Sequence, residues 1–272
     1  MHDLLINNFT KQTLQNIAKD PPHALLFAGP LGVGKLTLAK AWAKSLNAFA
    51  EVVEPEEKGS ITIETVRSLY RKTSGKQAER QVIIIDHAET MGVEAQNAFL
   101  KLLEEPRQNV TFILTAISAQ QLLATINSRL QTVSVNPVSP NDLKKLIAKK
   151  SPKLSPQETA QILFIAQGRP AILNRILADN TVLEQYKNIM QSAKKLISET
   201  QYDRLATVND LVKDKGTLIA TLEAMITMTA MQITKSPNER WFKLADSLEE
   251  CLQSLLQNGN PRAQLVNFFL SY

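Results

Sequence analysis

The sequence predicts an α/β protein, with a mostly parallel five-stranded sheet in its first half and helices alone in its last third. Three observations carry this. Short apolar runs alternate with helix-patterned segments up to residue 137, the first run leads into a glycine loop that opens a helix, and no strand-like alternation occurs after residue 181. The expected strands are Ala24–Ala28, Glu51–Val53, Val82–Ile85, Val110–Leu114 and Thr132–Val135. Near-continuous apolar runs of this length belong to strands covered on both faces, as in parallel sheets.

The first strand ends in Gly29-Pro30-Leu31-Gly32-Val33-Gly34-Lys35, nearly all of a phosphate-binding loop. The following helix places Leu38, Ala39, Trp42, Ala43 and Leu46 on one stripe. Backbone N–H groups and the helix dipole favour an anion there, so ATP is the expected ligand. Leu36 stands where the pattern requires a hydroxyl, which puts Mg²⁺ coordination in doubt. Thr37 offers a hydroxyl one residue on, but one step along a helix turns a side chain by about 100°.

The strand Val82–Ile85 ends in Asp86, a carboxylate at the sheet edge where a partner for Mg²⁺ belongs. His87 follows it. ATPases of this architecture usually carry glutamate at that position to polarise water, whereas a histidine there is read mainly as a packing or capping residue. Glu89 lies two positions further on.

The segment Gln96 to Pro106 reads as a helix with Ala98, Phe99, Leu102 and Leu103 on its apolar side, stopped before the proline. Thr125-Ile126-Asn127-Ser128-Arg129 is expected to end a helix capped by Ser118. Together with Val82 to Glu89, these segments resemble the clamp-loader branch of the AAA+ ATPases, whose members carry a NALLKTLEEP-like run and a serine-arginine-cysteine motif. The resemblance is strong over residues 23–137 and weaker at Asn258 to Leu270.

That resemblance implies an AAA+ P-loop domain with a small helical lid and an all-helical collar. It also implies a hetero-oligomeric ring of clamp-loader subunits acting on a sliding clamp and primed DNA. In such rings the arginine of the motif enters a neighbour's nucleotide site, a role that falls here on Arg129. Leu130 replaces the motif's cysteine, which leaves the guanidinium untouched. The departures from an active ATPase form a set: Leu36, His87, and the apolar pair Ala116-Ile117 where active members present a polar sensor. Arg169 directly follows Gly168, two places earlier than the sensor arginine of active subunits, and is counted among the residues that reach phosphate.

Domain limits follow from cap chemistry. Ser139-Pro140 and Ser155-Pro156-Gln157-Glu158 open two helices, the second with a capping box, and Gly168 closes it. The expected division is 1–137 core, 138–180 lid and 181–272 collar. Residues 138–180 hold seven basic against three acidic side chains, and 181–272 hold ten of each. The lid lysines Lys144, Lys145, Lys149, Lys150 and Lys153 are read as a solvated face before a nucleic-acid contact. Met225, Met228 and Met231 read as core filler in the collar.

A single cysteine, Cys251, rules out an internal disulfide and a four-thiolate zinc site. The loop Glu54-Pro55-Glu56-Glu57-Lys58-Gly59 is charged and cysteine-free, so no zinc is expected. With no leader-like start and no long apolar window, a cytoplasmic protein without a membrane span is the expectation. Three function classes share the loop: a ring subunit that lends Arg129, a self-sufficient ATP-hydrolysing motor, and a small-molecule phosphotransferase. The last leaves the Gln96 helix, Arg129 and the helical last third without a role.

Overall fold

The computed structural model describes residues 4–56, 59–73, 80–105, 107–256 and 259–271, so Glu57, Lys58, Pro106 and Asn258 lie outside it. The chain divides into two compact units, one ending at Ala178 and the other beginning at Asp179.

In the first unit α1 (Asn8–Ile17) precedes β1 (Ala24–Ala28), α2 (Lys35–Ser45), β2 (Phe49–Val53), α3 (Ile63–Thr73) and β3 (Gln81–Ile85). Then come α4 (Val93–Glu104), β4 (Val110–Ala116), α5 (Ala124–Asn127) and β5 (Gln131–Ser134). All strand pairs are parallel and the order is β2-β3-β4-β1-β5. Central β1, β3 and β4 are buried nearly throughout, as doubly covered strands must be. One apolar cluster joins Leu26, Ile83 and Phe112 to α3 and α4, and the other joins Leu25, Phe27 and Ile84 to α1 and α2. Trp42 is fully buried, and its Nε1 donates to the Leu14 carbonyl at 3.3 Å, tying α2 to α1.

Three further helices complete this unit: α6 (Pro140–Lys150), α7 (Pro156–Ala166) and α8 (Pro170–Ala178). Ser139 caps α6, and the Ser155–Glu158 capping box forms with both hydrogen bonds, so the cap chemistry acts as its residue types dictate. Gln167 and Gly168 both take left-handed backbone to end α7.

Two expectations are corrected here. Ser118 caps only the single 3-10 turn Ala119–Gln121. Leu122 and Leu123 are then extended, and α5 is a separate four-residue helix. Buried Leu122 anchors that break. The expected strand Glu51–Val53 starts two residues earlier, at the exposed Phe49, whose N–H donates to the Arg80 carbonyl.

The second unit is all helical: α9 (Asn180–Ser198), α10 (Gln201–Leu211), α11 (Lys215–Lys235), α12 (Glu239–Leu256) and α13 (Pro261–Ser271). Leu218, Leu222, Met225, Leu244, Leu248, Leu255 and Phe269 form its core. Met225 and Met228 pack there, but Met231 is exposed and is not core filler. By length and composition α11 is apolar enough to cross a membrane, with a mean hydropathy of 1.2 over its best window. It packs against α9 and α12. Arg204 is buried where its Nε donates to the Leu196 carbonyl at 2.8 Å, closing the C-terminal end of α9.

Candidate functional site

The parallel register sets three strand ends side by side. Ala28 lies opposite Ala116, Ile85 opposite Leu114, and the Gly29 N–H donates to the Ala116 carbonyl at 3.1 Å. The glycine loop, Asp86 and the end of β4 therefore share one edge, which is where open α/β sheets bind ligands.

Gly34 caps α2 with φ of 91°, a conformation that L side chains rarely adopt. Gly29 to Lys35 wraps the N-terminus of α2, as an anion site requires. The Lys35 ammonium is buried, and it donates to the carbonyls of Gly29 at 2.7 Å and Pro30 at 3.1 Å. The loop's own backbone is thus one partner of the cation meant for phosphate. Leu36 packs against the apolar cluster under α2 and brings no oxygen to the site. Thr37 lines a cleft of ≈ 240 Å³ with Ile6, Val33, Val138, Pro170 and Asn174. The residues present thus fit phosphate groups and do not supply the hydroxyl ligand of Mg²⁺.

Helix α8 packs on the loop. Ala171 N–H donates to the Gly32 carbonyl at 3.0 Å, and a Cβ on Gly32 would meet Ile172 Cγ1 at 2.4 Å. Arg169 is buried, with its Nε donating to the Ala166 carbonyl at 3.3 Å. It stands one residue from the α8 segment that touches the loop.

At the end of β3, Asp86 is buried and accepts a 2.5 Å hydrogen bond from the hydroxyl of Thr115 on β4. Thr115 Oγ1 in turn accepts the His87 N–H at 3.1 Å. The apolar pair Ala116-Ile117 directly follows Thr115, with Ala116 as the last residue of β4. Thr115 went unnamed in the sequence because it sits inside an apolar run; the one signal was a threonine next to the strand's end. His87 has left-handed backbone, φ of 53°, and its Nδ1 lies 3.2 Å from Glu89 Oε1 and its Nε2 3.8 Å from Asp86 Oδ2. The hydrogen bond to Glu89 raises the imidazole pKa above its ordinary value, with Asp86 adding to the rise and burial and Lys35 opposing it. The ring lies between two carboxylates.

Arg129 lies elsewhere, after α5. Its Nη1 donates to the Thr125 carbonyl at 2.8 Å and to Ser128 Oγ at 3.4 Å, and its Nη2 donates to Glu104 Oε1 at 2.9 Å. The side chain keeps 36% of its surface exposed. Gln96 joins α4 to this segment, accepting the Leu123 N–H at 2.8 Å while its amide donates to the Met91 carbonyl. Asn127 donates to the carbonyls of Ala119 and Leu122. The segment carrying Arg129 is therefore held to α4 by polar bonds as well as by buried Ile126.

Comparison with known proteins finds several similar chains. Residues 48–139 match the family described as DNA polymerase III, delta subunit. The DNA polymerase III subunit delta' of Pseudomonas aeruginosa is 30% identical over 205 residues, covering 65% of this chain and 62% of that protein. Over that 65% of its length the chain is similar to a delta' subunit. DNA polymerase III subunit tau of Bacillus subtilis is 24% identical over 302 residues, covering 99% of this chain and 48% of that protein. The chain thus spans between about half and 62% of the length of these curated relatives. A solved structure of the Thermotoga maritima RuvB Holliday junction branch migration motor superposes with a TM-score of 0.53 at 16% identity, covering 97% of this chain and 87% of that one. At that identity it speaks for the fold alone: a parallel α/β domain followed by helices.

Proposed function

We propose that the chain is a subunit of the DNA polymerase III clamp loader, working in the cytoplasm in DNA replication. It sits in a hetero-oligomeric ring that places a sliding clamp on primed DNA. Its own ATP turnover is weak or absent, and it lends Arg129 to an adjacent ATP-hydrolysing subunit. One observation carries this reading: a partly exposed guanidinium on a firmly tied segment, in a chain whose own phosphate loop has leucine at the Mg²⁺ ligand position. The planar fork of an arginine suits the oxygens of a transferring phosphoryl group, where it offsets developing negative charge. The loop Gly29 to Lys35 would hold the phosphates of any nucleotide this chain binds, with Asp86 beside them. The 1–137, 138–180 and 181–272 segments serve in this reading as core, lid and ring-forming collar.

A self-sufficient motor is the second reading, favoured by the intact Lys35 and by the ordered Asp86–Thr115 pair. ATPase rates of the assembled complex separate the two. Arg129→Ala is expected to lower turnover at the neighbouring site roughly a thousandfold, the low end of what such arginines supply, and Lys35→Ala to leave the complex within about twofold of wild type, well under one tenfold step of 1.4 kcal/mol. Loss of turnover on changing Lys35 or Asp86, with Arg129→Ala silent, would replace the first reading with the second.

A further inference from the structure

We propose that Glu104 is a latch for the Arg129 guanidinium, holding it inside its own subunit until a neighbour's phosphate displaces the carboxylate. The inference rests on the finger reading above and adds a regulatory residue to it. Both terminal nitrogens of Arg129 are committed within the chain, Nη2 to Glu104 and Nη1 to Thr125 and Ser128. A guanidinium that grips phosphoryl oxygens end-on uses the same two nitrogens as its fork. The resting arrangement therefore competes with the working one.

The pairing is built by the fold. Glu104 ends α4, and Arg129 follows α5, and the Gln96 amide bridges the two elements through Leu123. The separation of carboxylate and guanidinium is thus set by two tied helices. Its strength is set by exposure: 49% of the Glu104 side chain and 36% of Arg129 face solvent. An ion pair so exposed is weak, which makes it exchangeable for a phosphate of higher charge. The carboxylate would also repel that phosphate, so engagement requires Arg129 to leave it. In a ring not yet closed by clamp and DNA, the finger is shared between Glu104 and the neighbour, and removing the glutamate charge shifts it toward the neighbour.

The test uses the assembled complex. Glu104→Gln should raise the ATPase rate without clamp or DNA by about two- to fivefold, the range an exposed ion pair supplies. The rate with clamp and primed DNA should stay unchanged, because the finger is then engaged in either case. Glu105→Gln, which alters the adjacent carboxylate, should change neither rate. In an Arg129→Ala background Glu104→Gln should raise nothing. An unstimulated rate that stays level or falls in Glu104→Gln, while Arg129→Ala still removes turnover, overturns the latch and leaves the finger standing. An Arg129→Ala complex that turns over like wild type overturns the finger, and the latch with it.

Discussion

Lys35 and Arg129 are two of the cations that the proposed function turns toward phosphate, and their surroundings differ in kind. Lys35 is buried and bonded to the carbonyls of its own loop, while Arg129 is partly exposed and paired with a carboxylate that solvent also reaches. A buried ammonium bonded to two carbonyls gives up more on leaving them than a guanidinium gives up on leaving an exposed carboxylate. The contrast teaches that the availability of a charge is set by its partners as much as by its motif. The better-known motif here carries the more confined cation.

The sharpest way to break the comparison is Arg129→Lys. The ammonium keeps the charge but loses the planar fork and cannot make two parallel bonds to phosphoryl oxygens. Turnover of the assembled complex should fall to within about tenfold of the Arg129→Ala level, a gap of one 1.4 kcal/mol step. A rate near wild type would mean that charge alone is used, and the fork argument would go.

Next in size is Gly32→Ala. Gly32 has φ of 81°, and the added Cβ would press on Ile172 of the lid helix. Left-handed strain together with overpacking should destabilise the first unit by about 1–3 kcal/mol. Thermal unfolding followed by circular dichroism checks this. Pairing the change with Ile172→Ala relieves the clash but not the backbone strain, so only part of any loss due to packing should return. Unaltered melting of Gly32→Ala would mean that α8 does not pin the loop.

What the sequence disclosed, and what it withheld, divides along the same line between local and distant contacts. Apolar runs gave β1, β3 and β4 because burial on both faces leaves little room for polar residues. Ser139 and the Ser155–Glu158 box were legible because capping is settled within four residues. Leu36, His87 and Arg129 could be named from their places in motifs. The split between the Ser118 turn and α5 was hidden, because it depends on Gln96, 27 residues away, accepting the Leu123 N–H. The Thr115–Asp86 bond needs the β3–β4 register, and the Gly32–Ile172 contact needs the lid to fold back. The exposed edge position Phe49 joins β2 by backbone pairing and not by apolar pattern, so its strand began earlier than its hydrophobicity suggested.

A smaller effect should come from Glu89→Gln. The hydrogen bond that the ring makes to this carboxylate is the chief cause of the raised His87 pKa, so the substitution should move the imidazole back toward its ordinary 6.5. An NMR titration of the His87 ring reads this directly. The linkage has a definite sign. A folded-state pKa above the unfolded one stabilises fully below about 6.5, and that contribution fades as pH rises through the folded value. With the His87 side chain 40% exposed, the stability change is small. A midpoint that does not move on removing the Glu89 charge would mean that Asp86 sets the titration.

Leu36→Thr should do least, and its silence is informative. It restores the hydroxyl that the phosphate-loop pattern requires, so if that departure alone disabled the centre, the isolated chain should gain Mg²⁺-dependent ATP turnover. We expect none, because His87 still stands where a water-polarising glutamate belongs and its ring remains held by Asp86 and Glu89. The lid contact to Gly32 is likewise untouched. Leu36 is only partly buried, so stability should change by less than about 1.5 kcal/mol, below the cost of truncating a fully buried leucine. A tenfold or greater rise in phosphate release by Leu36→Thr would collapse the contrast between the two cations, since Lys35 would then be as available to phosphate as Arg129.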